Sequence, residues 1–224
     1  MSTIFYRLEV CVLLYRSFVY LMGMFVNFFG VALLINATLG AGFWTSFFIG
    51  VTDHLGYTVG FWYGTFQLII IFVNAVLMKQ KPEARAAIPV LLESLILDFW
   101  LILVFSHVDL SSASYIIQVS ALLTGVAIIG LGVALYILPQ FPRAPVDQLF
   151  LAVSARFNLS IQAGQTVVAM IMTTLALIVG GPVGLGTIAP MLFLGPVIQF
   201  CYTRAYPLYY KLHPQGSTVY QEAI

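Results

Sequence analysis

Gly30-Val31-Ala32-Leu33-Leu34-Ile35 returns 102 residues later as Gly132-Val133-Ala134-Leu135-Tyr136-Ile137, so the chain carries an internal duplication. The same offset pairs Gly23 with Gly125 and Thr58-Val59 with Ser160-Ile161. Toward the end an offset of 101 pairs Leu97-Asp98-Phe99 with Ile198-Gln199-Phe200, which a one-residue indel explains. Each copy holds one long apolar stretch, a connector and two more apolar stretches, dividing the chain into residues 1–112 and 113–224. If every stretch crosses a membrane, three crossings per copy oblige the second copy to run inverted. Inverted repeats of this kind put a transport path near the bilayer midplane.

The membrane follows from composition. Hydrophobic residues make up 61% of the chain and charged residues 8%, with a mean hydropathy of +1.02, and too little polar surface remains to face water. The apolar runs are continuous, whereas a transmembrane β-barrel alternates apolar and polar residues over about 10 positions. The expected fold is therefore all-α, with six transmembrane helices near residues 18–35, 58–78, 86–105, 115–138, 161–179 and 187–202. Arg7, Glu9 and Arg16 interrupt the first apolar stretch, so a cleavable signal is not expected; residues 4–15 read as an interfacial segment or as the first turns of helix 1.

Basic residues test this count independently, because they gather on the cytoplasmic side of membrane spans. Six spans put all nine on one side: Arg7 and Arg16, then Lys79, Lys81 and Arg85, then Arg143 and Arg156, then Arg204 and Lys211. The opposite loops, 36–57, 106–114 and 180–186, hold none. Both termini are expected to be cytoplasmic, and five or seven spans would break the pattern.

The connectors 36–57 and 139–160 are too long for plain turns. Phe43-Trp44-Thr45-Ser46-Phe47-Phe48 opens an apolar segment in the first, Pro145-Val146-Asp147-Gln148-Leu149-Phe150 in the second, and each reads as a short helix of about 11 residues that cannot cross. Pro145 suits a first helical turn, and Gly40-Ala41-Gly42 allows an abrupt reversal before the other helix. Such helices either re-enter the membrane or lie flat at its surface. Re-entry would turn their free N-terminal N–H groups toward a cavity, suiting an anionic group or a carbonyl oxygen. In the flat arrangement Asp147 is an ordinary first-turn carboxylate and Trp44 an interfacial anchor.

Leu39-Gly40-Ala41-Gly42-Phe43-Trp44-Thr45, Gly56-Tyr57-Thr58-Val59-Gly60, Gly180-Gly181-Pro182-Val183-Gly184-Leu185-Gly186-Thr187 and Gly195-Pro196 together resemble the bacterial YczE/YitT-type membrane proteins over most of residues 16–205. The resemblance implies a six-span protein of the bacterial cytoplasmic (inner) membrane and carries no defined activity. The family's typical first connector holds Pro-Trp-Asp. Here the first copy keeps Trp44, and the second keeps Pro145 and Asp147, so a role for that aspartate carries over only to Asp147.

Ionisable side chains inside a bilayer cost roughly 2.5–3.5 kcal/mol at a helix centre, which makes Glu93 and Asp98 the leading candidates for function. Five residues separate them, about 140° around a helix, so they do not both face one narrow pathway squarely. Glu93 is the candidate for a proton- or cation-linked site, the alternative being a neutral carboxyl hydrogen-bonded between helices. Asp98 and its repeat mate Gln199 could approach one central cavity or simply pack helices. Asn27, Gln67, Asn74 and Gln162 read as interhelical hydrogen-bond donors. The glycines at 180–186 lack the Lys-Ser or Lys-Thr of a phosphate loop and read as a tight turn with close backbone packing. Pro190 and Pro196 should bend the last helix, and Cys11 and Cys201 read as buried small hydrophobes rather than a disulfide or metal pair.

No metal-ligand spacing, cofactor motif or nucleophile–base pair is recognisable, so no cofactor and no enzymatic activity are expected. A net charge of +1 argues against nucleic acid. The expected partners are the lipid bilayer and a small solute or ion, and no feature sets an oligomeric state. The function expected is a transporter or channel with a pathway lined by the first, third, fourth and sixth helices and both connectors, touching Glu93, Asp98, Gln199, Asp147 and Trp44. The alternative is a scaffold or accessory protein acting through a partner, in which Gly23, Gly30, Gly125, Gly130 and Gly132 serve helix packing alone.

Overall fold

A computed structural model describes residues 2–108, 110–142 and 144–214. Arg143, and the side chains of Arg7 and Gln162, lie outside the described residues. Among the described residues the chain is all-helical, with no strand. The helices are α1 Ser2–Asn36, α2 Phe43–Leu55, α3 Val59–Met78, α4 Ala87–Asp98, α5 Tyr115–Ile137, α6 Pro145–Phe157, α7 Ile161–Ile178 and α8 Leu185–Leu212. The N-terminal segment is thus continuous with the first helix, and α8 runs unbroken through Pro190, Pro196 and Pro207 to Leu212, ten residues past its expected end at 202. Its last turns are held by Tyr209 and Tyr210, which pack with Leu138, Tyr15 and Val19.

Five helical segments are long and apolar enough to cross a membrane: Glu9–Asn36, Val59–Met78, Ala84–Val104, Tyr115–Ile137 and Leu185–Leu212. The described apolar part of α7, Ala163–Ile178, is shorter. The outer surface has the character lipid requires, with Val76 and Ile116 each 77% exposed. Cys11 is exposed and Cys201 half-buried, so neither is the fully buried hydrophobe its surroundings suggested; both are free thiols.

The connectors fold as expected into short helices. α2 and α6 have 13 residues each, about 20 Å, which falls short of the roughly 30 Å hydrocarbon core. Equivalent residues cap the helices that follow: Thr58 accepts from Phe61 N at 3.0 Å before α3, and Ser160 from Ala163 N at 3.1 Å before α7. The α4 helix continues through a π-helical turn, Phe99–Val104. This wider turn lays Phe99 and Trp100 on α1, where Trp100 Nε1 donates to Phe25 O at 3.0 Å.

The centre of the molecule is the crossing of α1 and α5, the two copies of the opening repeat. A Cβ on Gly30 would fall 2.7 Å from Ile129 N and 2.8 Å from Gly125 O, and one on Gly23 2.5 Å from Tyr136 N and 2.9 Å from Gly132 O. Rising numbers along α1 meet falling numbers along α5, so the two pack antiparallel with their backbones nearly touching. Around this pair the contacts are exchanged: α2 packs on α7 and α6 on α3. α4 and α8 lie against α1 and α5 respectively. One counterpart is missing, since α3 packs on α4 whereas α7 and α8 make at most marginal contact.

The ends of the bundle differ. At one, Ala41 N donates to Pro182 O at 2.9 Å, Gly186 N to Leu39 O at 2.9 Å, and Ser46 Oγ to Pro182 O at 2.9 Å. Gln118 ties Thr38 to Leu110 there. The glycines make this stitching possible, because a Cβ on Gly186 would overlap Gly40 O and one on Gly181 would overlap Ser46 O. At the other end Arg16 Nε donates to Pro139 O at 3.0 Å, Asn74 Nδ2 to Pro145 O at 2.9 Å, and Lys79 lies beside Arg156.

Candidate functional site

Between α1 and α5, closed over by the first turns of α2 and α6, is a cavity of about 240 Å³. Its lining follows the 102-residue offset of the repeated hexapeptide. Asn27 and Ile129, Val31 and Val133, Leu34 and Tyr136, Trp44 and Val146, Thr45 and Asp147, and Tyr63 and Gln165 all line it, and the members of each pair are 102 residues apart. Leu34 and Tyr136 occupy the one position at which the opening hexapeptides differ. Positions 102 residues apart therefore share the walls, and where their residues differ they supply polar groups: Asp147 answers to Thr45, Tyr136 to Leu34 and Gln165 to Tyr63.

Two of the five candidate residues meet in this cavity. Trp44, in the first turn of α2, stacks at 15° on Phe48, and its Nε1–H is buried without an acceptor among the described residues. Asp147, in the first turn of α6, accepts from the Tyr136 hydroxyl at 2.9 Å. Neither short helix carries a side-chain cap, since Gly42 and Ala144 occupy the capping positions.

The other three lie elsewhere. Glu93 is buried at 2% exposure and accepts at one oxygen from Gln67 Nε2 at 2.7 Å and Tyr63 Oη at 3.2 Å. It does not line the cavity, but Tyr63 does, so one hydroxyl joins the two. Asp98 serves the start of α3, accepting from Thr58 Oγ1 at 2.5 Å and Gly60 N at 2.8 Å. Its repeat mate Gln199 is exposed on the outside of α8, so the two do not converge. The α4 helix contributes nothing to the lining; α3 and α7 enter it instead through Tyr63 and Gln165. Gln67 and Asn74 make the interhelical bonds expected of them.

Tyr63 and Tyr136 were not singled out by residue type, because a tyrosine in an apolar run reads as core or interface. The signal for Tyr136 was its being the one mismatch in the repeated hexapeptide.

Three relatives have comparable length. The Bacillus subtilis "Uncharacterized protein YyaS" is 28% identical over 180 residues, covering 80% of this chain and 89% of that protein. The B. subtilis "Uncharacterized membrane protein YczE" is 25% identical over 182 residues, covering 81% and 82%, in keeping with the YczE-type resemblance of the glycine motifs. An "Uncharacterized protein" of Haemophilus influenzae is 26% identical over 172 residues, covering 76% of each chain. No solved structure matches. Residues 14–203 match the profile of the "Family of unknown function (DUF6198)", and the chain, a membrane protein of several apolar helices, belongs to that family.

Proposed function

We propose that the protein is a six-span transporter or channel for a small solute, built as two inverted three-helix repeats, with its pathway passing through the cavity between α1 and α5. The observation that carries this reading is that six pairs of repeat-related residues line one cavity. A pseudo-twofold axis through an internal space is the arrangement that alternating access uses. The antiparallel crossing of α1 and α5 and the exchanged packing of α2 on α7 and α6 on α3 support the inversion.

Counting α7 as the fifth span accords with its neighbours. Gly164 abuts Ser154 of α6, near the end where Lys79 and Arg156 lie. Gly181, just beyond the other end of α7, abuts Ser46 beside the stitched loops. With six spans the basic residues share one side, which makes both termini cytoplasmic in a bacterial inner membrane. We infer no catalysis: the protein would move or bind its solute unchanged. In a proton-coupled cycle Glu93 is the group that takes the proton, and Tyr63 is its link to the cavity.

A scaffold reading has its own support, since Glu93 is satisfied by two neighbours and Asp98 by a helix N-terminus, as in a purely structural core. The two are separated by reconstituting the protein in liposomes, applying gradients of a panel of small solutes and recording flux on a solid-supported membrane. The transport reading expects flux for at least one solute and its loss in Val133→Trp, which fills the cavity. Glu93→Gln should remove any proton dependence. Absence of flux across the panel, or flux unchanged by Val133→Trp, would sink the reading.

A further inference from the structure

The cavity wall has a composition of its own. Aromatic rings face it from four elements besides α1: Phe43 and Trp44 from α2, Tyr63 from α3, Tyr136 from α5 and Phe150 from α6. Among the described lining residues the one charged side chain is Asp147, and none is Lys, Arg or His. A negative ring face and a carboxylate both attract a cation in a site of low dielectric, and the full charge of Asp147 together with the rings opposes the partial positive charge, about half a unit each, of the uncapped α2 and α6 N-termini that would otherwise favour an anion. The buried Trp44 Nε1–H has no acceptor among the described residues, so an oxygen elsewhere on the ligand would relieve an unmade hydrogen bond. The cavity is least enclosed where α7 and α8 fail to pack. Gln165 is exposed there and Met191 is 38% exposed, so a molecule with an apolar body can reach it from the bilayer.

We propose that this cavity binds a small organic cation, a protonated amine or quaternary ammonium on an apolar body, with Asp147 and the aromatic rings around Trp44 holding the charge. The volume of about 240 Å³ suits a molecule of roughly ten to fifteen non-hydrogen atoms. The assignment rests on the cavity being a ligand site, as the transport reading requires, but it needs only binding and not movement.

Three probes of one shape test it on the purified full-length protein in detergent: 2-phenylethylammonium, neutral 2-phenylethanol and anionic phenylacetate, each titrated by calorimetry. The cation should bind about tenfold or more tighter than either analogue. Asp147→Asn should erase that preference while leaving 2-phenylethanol within about twofold. Should Asp147→Asn fail to fold, Trp44→Leu, which removes one ring and the unpaired N–H, should weaken the cation by about tenfold. Equal binding of the three probes, tightest binding of phenylacetate, no binding of the cation, or a cation preference that survives both variants overturns the proposal. Cation binding without flux in liposomes would refute the transport reading and leave this one standing. Flux of another solute with no cation binding would do the reverse.

Discussion

Replacing Gly132 by alanine puts a methyl group where the backbone of α1 already is. The added Cβ would overlap Asn27 N and lie 2.5 Å from Asn27 Cα and 2.8 Å from its Cβ. Carbon atoms rest at about 3.5 Å or more, so α1 and α5 would have to part by about 1 Å at this point. Helix backbone cannot rotate aside as a side chain can, and overpacking of this kind costs about 1–3 kcal/mol. For a chain of this length that is a fall in melting temperature of roughly 2–12 °C. The repeat mate Gly30→Ala should cost a comparable amount, because its Cβ meets Ile129 N and Gly125 O at 2.7 and 2.8 Å. Gly195→Ala is the internal control: among the described residues, no atom beyond the adjoining backbone of its own helix lies within 4 Å of its Cβ, and alanine favours a helix by about 0.5–1 kcal/mol over glycine. The assay is thermal unfolding in one detergent, followed by tryptophan fluorescence. If Gly132→Ala and Gly30→Ala melt with Gly195→Ala, the close antiparallel crossing of the two repeats is wrong.

Asp98→Ala removes the acceptor for Thr58 Oγ1 and Gly60 N at the start of α3, and should cost about 0.5–2 kcal/mol of stability in the same melt without changing the affinity for 2-phenylethylammonium. A loss of affinity at unchanged stability would bring Asp98 back into the site. His213, just beyond α8, is held below its ordinary value by burial and then by Arg16, so the folded state disfavours its protonation. Stability from its docking should be full above pH 6.5 and fall as the pH drops below that, the unfolded chain taking up the proton first. His213→Gln should flatten that part of the stability–pH curve, and an unchanged curve would exclude His213 as its source.

The sequence was legible where a local rule sufficed. Pro145 opens α6, and the length of the connectors implied helices too short to cross, because each of these follows from the conformational limits of one or a few residues; that Thr58 and Ser160 cap α3 and α7 emerged only from the structure. The run of glycines at 180–186 signals close backbone contact, and Gly40 and Ser46 are the partners of Gly186 and Gly181. The site is less legible in the sequence. Glu93 and Asp98 stood out because charge is costly in lipid, but cost says only that a group must be satisfied, not by what. Gln67 and Tyr63 satisfy the first and the α3 N-terminus the second, and both partners lie some 26 to 40 residues away.

What the sequence by itself determined is the medium and the helices, because apolar runs are properties of single segments, together with a hexapeptide that recurs at a spacing of 102 residues. What only the tertiary structure decided is which residues share a space. Residues 44, 63, 136 and 147 belong to four helices, and their meeting around one cavity depends on how closely α1 and α5 approach and on where the first turns of α2 and α6 come to rest. Contact between segments is set by the packing of the whole bundle, where a single methyl group at Gly132 would change it, and no pattern along one segment encodes that distance.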